Sequence, residues 1–224
     1  MPRQETAHRR PLRVVAVTNF KGGSGKSTSA GLLLHAWADL GYRVLGVDAD
    51  PQGTLQRWRE DAEWTIQVMS LPSPRLHEEG RGLRGLVSSE MFDVVVIDTP
   101  PLEQQRAIVL SAIRAATDVV VTLAPTSAEW DVLPKVWEAL DEVDVTRVHP
   151  APVSVLWNRV RAGTTAARVY REQLAAQDRH SLLAAVPLAE RYAQAIGAPV
   201  ALRPGDVAIQ AAEQIATRGK WDKP

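Results

Sequence analysis

Apolar positions along the chain fall into two kinds of run that alternate. Short, β-rich runs ("LRVVAVTN", "RVLGVDAD", "WTIQVMS", "FDVVVIDTP", "DVVVTLAP" and "APVSVLWNRV") recur between longer stretches. Several are continuously apolar, which is how strands covered on both faces read. Between them lie amphipathic segments of helical length, such as "KSTSAGLLLHAWADLG" and "EWDVLPKVWEALDEV". This alternation predicts an α/β fold, a doubly wound and mostly parallel sheet with helices on both faces. Pro125 and Pro187 each end an apolar run and mark exits from strand to loop. The least regular segment, "LPSPRLHEEGRGLRG" (71–85), reads as loop plus a short helix. No repeat, low-complexity tract or Pro/Gly/Ser linker divides the chain. Residues 13–224 are therefore expected to form one domain, preceded by a flexible basic arm, residues 1–12.

Composition narrows the chemistry mainly by exclusion. The chain has 224 residues, 45% of them hydrophobic, enough for a substantial core. Lys plus Arg equal Asp plus Glu at 26 each, but the balance hides a gradient. Residues 14–144 carry 11 basic against 19 acidic side chains, and residues 145–224 carry 11 against 6. No cysteine is present, which excludes disulfides, thiolate metal sites, iron–sulfur clusters and a thiol nucleophile. The five His are scattered without metal-ligand spacing. No window approaches eighteen apolar residues and the first dozen residues lack a signal-peptide core, so a cytoplasmic location is expected.

The stretch "NFKGGSGKST" (19–28) follows a predicted buried strand and opens a predicted helix. Across Phe20 to Ser27 it departs from G-x-x-x-x-G-K-[ST] and carries a second lysine, Lys21. Gly22, Gly23 and Gly25 permit backbone angles closed to other residues, so successive N–H groups, that of Ser24 included, can converge on phosphate oxygens. The helix that follows adds the positive end of its dipole to the same anion. In this reading Lys26 reaches the β- and γ-phosphates, Ser27 ligates Mg²⁺, and Thr28 stands in the first helical turn. Asp98 ends the apolar run "FDVVVID", where a carboxylate is placed to hold a metal-bound water. Asp48 and Asp50, in "DADPQG", emerge at the same edge and point the same way while the chain stays extended. Thr99 stands after Asp98 where many ATPases carry a Glu base, so slow hydrolysis is expected. Asn158 and Arg159 close the last predicted strand at the edge where nucleotide bases meet such sheets.

Three motifs, "KGGSGKST" (21–28), "DADPQG" (48–53) and "VVVIDTPP" (94–101), resemble the ParA/MinD group of deviant Walker ATPases. The likeness is to the small ParA partition ATPases without an N-terminal DNA-reading domain. It implies ATP and Mg²⁺ as cofactors and a sandwich homodimer in which Lys21 crosses to the phosphates of the other subunit. It further implies that Asp50 positions or activates the attacking water and that Asp48 supports the phosphate and Mg²⁺ region. Asn158 is then the adenine contact, with Arg159, Pro187 and the following "LAERYAQA" completing the base pocket. Ser24 replaces a small apolar residue more frequent in the family.

Several jobs remain open to such an ATPase. The first expectation is DNA partitioning. An ATP-closed dimer binds duplex DNA without sequence preference, associates with the nucleoid, and is released on hydrolysis stimulated by a centromere-binding, ParB-like adaptor. The basic C-terminal third supports it, with Arg168, Arg171, Arg191, Arg203, Arg218 and Lys220 as candidate phosphate contacts. The alternatives are a MinD-like positioning ATPase for a protein or membrane cargo, and a small-molecule ligase or kinase. The tail "DVAIQAAEQIATRGKWDKP" offers too little large apolar area for stable membrane attachment. A ligase would have no need of Lys21. Most of the seven Trp are expected in the core, with Trp130 facing a dimer or partner surface.

Overall fold

A computed structural model describes residues 10–80 and 82–224, so the basic arm lies outside the described residues up to position 9. The strands are β1 (Arg13–Thr18), β2 (Val44–Asp48), β3 (Gln67–Ser70), β4 (Val94–Asp98), β5 (Asp118–Leu123), β6 (Val153–Val160) and β7 (Ser181–Pro187). They form one sheet in the order β3-β2-β4-β1-β5-β6-β7, and every pairing is parallel. Six strands coincide with the apolar runs of the sequence. The seventh, β7, was marked only by the Pro187 exit. It is an edge strand whose residues alternate in burial, and Leu183 at its middle is largely exposed.

The helices are α1 (Lys26–Asp39), α2 (Thr54–Asp61), α3 (Leu83–Leu86), α4 (Arg106–Ala115), α5 (Ser127–Trp130), α6 (Leu133–Asp144), α7 (Ala166–Ala176), α8 (Glu190–Ala193) and α9 (Val207–Arg218). Alternate residues of each central strand feed two apolar layers. Val15, Val17, Val94, Val96 and Val120 face α1, α2 and α9, while Val14, Ala16, Val95, Ile97 and Val121 face α4 and α6. The segment "EWDVLPKVWEALDEV", expected as one helix, is broken into α5 and α6. Pro134 accounts for the break: it has no N–H to donate and stands in the first turn of α6, where none is needed. Gly31 sits inside α1 despite the propensity cost of about 1 kcal/mol. A Cβ there would lie 2.4 Å from the Trp58 ring, so the glycine lets α2 close onto α1. Six of the seven tryptophans are buried, and the exception, Trp130, stacks on Tyr170 with centroids 4.8 Å apart.

This topology creates the functional crevice. β1 and β4 are neighbours, yet α1 leaves over one face of the sheet and α4 over the other. The loops that follow the two strands therefore diverge and leave a gap at the carboxyl edge.

Candidate nucleotide-binding site

The loop from Asn19 to Gly25 bridges β1 and α1 across that gap. Gly23 and Gly25 take φ of 70° and 85°, the left-handed region that glycine alone enters without strain. Gly25 is doubly constrained, because a Cβ would come within 2.8 Å of the Asn158 amide nitrogen. Ser24 turns its side chain inward and is fully buried, so what it presents outward is backbone. Gly22, Gly23 and Gly25 of the loop, with Lys26, Ser27, Thr28, Asp50, Gln52, Thr54, Pro101, Gln104 and Ile196, enclose a cleft of about 600 Å³. A second cavity of about 270 Å³ shares Gly23, Gly25 and Thr28 with it, and is walled by Asn158, Arg159, Val186, Pro187, Leu188, Ala189 and Tyr192. An anion-sized cleft opening into a smaller, mostly apolar chamber matches the shape of a nucleotide, phosphates first and base second.

Two lysines of the loop are held differently. Lys26 is buried and folds back over the loop, its Nζ donating to the Lys21 carbonyl at 3.0 Å. Burial lowers its pKa, opposed chiefly by the charges of Asp98 and Asp50. Lys21 does not line the cleft. Its Nζ reaches the Ala128 carbonyl of α5 at 3.4 Å, out at the rim. Beside it Glu129 is buried, accepting from Asn19 Nδ2 at 2.9 Å and pairing with Arg159 at 3.2 Å.

The three aspartates are also held differently. Register places Asp48 directly beside Asp98 at the ends of β2 and β4. Both oxygens of Asp48 are engaged by backbone, accepting from Asp50 N–H at 3.1 Å and Gln56 N–H at 2.9 Å. These two bonds let the Asp48 carboxylate organise the turn that carries Asp50 and the start of α2. Burial raises its pKa, and the same backbone donors oppose the rise. Asp50 lines the cleft, with Oδ1 accepting from Gln52 N–H at 2.9 Å. Asp98 is fully buried and neither of its oxygens has a hydrogen-bond partner. Burial pushes its pKa up to about 8, against the nearby Ser27 hydroxyl, which favours the charged form from outside good hydrogen-bond geometry. Thr99 is not a base, since its hydroxyl donates to the Val17 carbonyl at 2.9 Å.

An orphaned buried carboxylate next to a hydroxyl fits a hydrated divalent cation, which would supply the missing donors through its water shell. Among the described residues no cluster of three or more His, Asp or Glu side chains is built to hold a metal. That suits Mg²⁺ bound largely through phosphate and water rather than an all-protein cage.

The basic candidates are dispersed over the single chain. Arg168 pairs with Glu172, and Arg171 is half-buried, donating to the Leu183 carbonyl at 2.9 Å. Arg191 lies over the Tyr192 ring and pairs with Asp206 at 3.5 Å. Arg203 is exposed in the segment between α8 and α9. Arg218 and Lys220 are exposed at the end of α9, near the amino edge of the sheet, where Trp221 reaches Asp118 at the start of β5. The site also contains groups that sequence reasoning missed: Ser29 and Glu129. Only their polar character near a motif marked them.

Residues 15–198 match the family described as the CobQ/CobB/MinD/ParA nucleotide binding domain. The chain belongs to this family. Among its relatives, the maintenance of carboxysome distribution protein A of Gloeobacter kilaueensis is 39% identical over 123 residues, covering 54% of this chain and 53% of that protein. The chromosome-partitioning ATPase Soj of Thermus thermophilus is 31% identical over 170 residues, covering 64% and 66%. The chain spans about half the length of the first curated relatives it matches. A Cyanothece McdA variant solved as an ATP complex superposes with a TM-score of 0.70 at 18% identity, covering 95% of this chain and 98% of that one. At that identity the likeness is one of fold. The seven-stranded parallel sheet is thus the CobQ/CobB/MinD/ParA architecture, with the cleft beside the β1–α1 loop at its carboxyl edge.

Proposed function

We propose that this chain is a slow MgATP hydrolase of the ParA type that partitions DNA through an ATP-closed homodimer. The observation that carries the reading is the unequal placement of the two loop lysines. Lys26 lies in its own cleft, whereas Lys21 stands at the rim on a single long contact with a carbonyl, free to serve a phosphate outside its own subunit. A second copy facing the first would bring its triphosphate to that ammonium group. Loop amides and the α1 dipole bind the phosphates, Lys26 offsets charge on the β- and γ-phosphates, and Asp50 orients the attacking water. Mg²⁺, held by Ser27 and through water by Asp98, would screen the triphosphate. With Thr99 bonded to Val17 and no Glu after Asp98, hydrolysis waits for a partner that completes the site. A small ParB-like adaptor is the proposed partner, and nucleoid DNA the proposed track.

Duplex DNA is the favoured ligand of the dimer because the C-terminal third carries the basic excess, 11 against 6. Since no single-chain patch gathers these cations, DNA affinity should appear only when two chains combine theirs. A second reading, positioning of a protein cargo, is favoured by the carboxysome-distribution relative. Neither reading needs a membrane anchor, and among the described residues no helix is long and apolar enough to cross one. Binding to random-sequence duplex DNA with ATP, ADP or no nucleotide, at two salt concentrations, tests the proposal. ATP-dependent, salt-sensitive binding is expected, and equal binding under all three nucleotide conditions would refute it.

A further inference from the structure

Asn158, at the end of β6, lines the smaller cavity beside the loop. It is buried, and its Nδ2 donates to the Ser29 hydroxyl at 2.9 Å and to the Ser24 carbonyl at 3.4 Å. A backbone carbonyl only accepts, so the amide nitrogen must be the atom that faces the loop. Gly25 closes that side, since a Cβ there would stand 2.8 Å from the same nitrogen. With the nitrogen turned to the loop, the amide oxygen is the atom left for the cavity that Asn158 lines, and both side-chain hydrogen bonds of Asn158 run through the nitrogen. Two further polar groups of that chamber are already engaged: Arg159 with Glu129 at 3.2 Å, and the Tyr192 hydroxyl with Asp206 at 3.2 Å. Val186, Pro187, Leu188 and Ala189 add an apolar lining.

Resting on the nucleotide reading above, we infer that Ser29 sets base specificity by locking the Asn158 amide with its oxygen toward the base. It is a positioning residue, acting through Asn158 rather than on the ligand. A fixed acceptor pairs with the exocyclic amine of adenine and meets the carbonyl at the same place in hypoxanthine or guanine, acceptor against acceptor. Without the Ser29 hydroxyl, the nitrogen keeps only the longer contact to Ser24. That long contact alone holds the amide less firmly, so its NH₂ group turns more readily toward a carbonyl-bearing base.

The test is competition of ATP and inosine triphosphate against a fluorescent ATP analogue, with wild type, Ser29→Ala, Ser29→Thr and Asn158→Ala. The two nucleotides differ in the group at issue, amine against carbonyl. Wild type should favour ATP by about tenfold, Ser29→Ala and Asn158→Ala should narrow the ratio to about threefold or less, and Ser29→Thr should restore it. A loss of affinity for both nucleotides with an unchanged ratio in Ser29→Ala would mean a purely structural role and overturn the inference. So would a wild type indifferent to the base, or a Ser29→Thr variant as relaxed as the alanine. If wild type binds no triphosphate at all, the nucleotide reading itself falls. If it binds and only the ratio fails to move, this inference falls alone.

Discussion

Replacing Asp98 by Asn should stabilise the nucleotide-free protein, and more so as pH rises. The carboxyl is fully buried with both oxygens unpartnered, and burial carries its pKa from 3.8 to about 8. A carboxyl raised in this way contributes stability that is fully present below its unfolded-state pKa. That contribution is lost as pH climbs through the folded-state value, here between about 4 and about 8. At roughly 1.4 kcal/mol per pH unit, the loss approaches about 5 kcal/mol at the top of the window. The asparagine amide keeps unsatisfied polar atoms in the same seat at a cost of about 1–3 kcal/mol, so a net gain near 3 kcal/mol is expected at pH 8. For a chain of this size that is roughly 10 °C in melting temperature. The assay is thermal unfolding of both proteins at pH 5 and pH 8, with and without MgATP. MgATP at a hundredfold its Kd should stabilise wild type by about 2.7 kcal/mol and the variant far less. An advantage for Asp98→Asn that is equal at the two pH values, or absent at pH 8, would refute the reasoning.

Three further outcomes follow from the same geometry. Lys21→Ala should bind ADP as wild type does, because Lys21 lies outside its own cleft, but should fail to form an ATP-dependent dimer by sedimentation velocity. Lys26→Ala should lose nucleotide binding by calorimetry, having removed the one ammonium group folded over the loop. Gly31→Ala should destabilise the fold by about 1–3 kcal/mol in urea unfolding despite the better helix former, because the new Cβ meets the Trp58 ring at 2.4 Å; unchanged or increased stability would mean that α2 yields easily.

Much of the fold was legible because a parallel sheet covered on both faces writes its strands as unbroken apolar runs, and "VVVID" and "DVVVTL" are buried at every position. β7 was nearly silent for the opposite reason. At the edge it needs apolar residues on only part of its surface, and Gln214 rather than another strand accepts from its Leu183 and Ala184 N–H groups. The phosphate loop was legible because glycine spacing and lysine identity are fixed by backbone geometry. The different surroundings of Asp48 and Asp98 were not. Both end apolar strands, and only the three-dimensional hydrogen bonding shows one engaged by backbone and the other orphaned. Ser29 escaped notice because its partner, Asn158, is 129 residues away in sequence. The scatter of Arg168, Arg191 and Arg218 was likewise hidden, since linear charge density says nothing about which edge of a sheet each helix end occupies.

The central claim is that ATP joins two chains face to face, with Lys21 serving the partner's phosphates. It is tested most directly by light scattering on Asp50→Ala, in which hydrolysis is expected to be blocked, with MgATP, with MgADP, and with Lys21→Ala added. The account predicts a doubling of mass with MgATP alone and a return to the single-chain mass when Lys21 is removed. A single-chain mass with MgATP, or a dimer that forms regardless of Lys21, would contradict it.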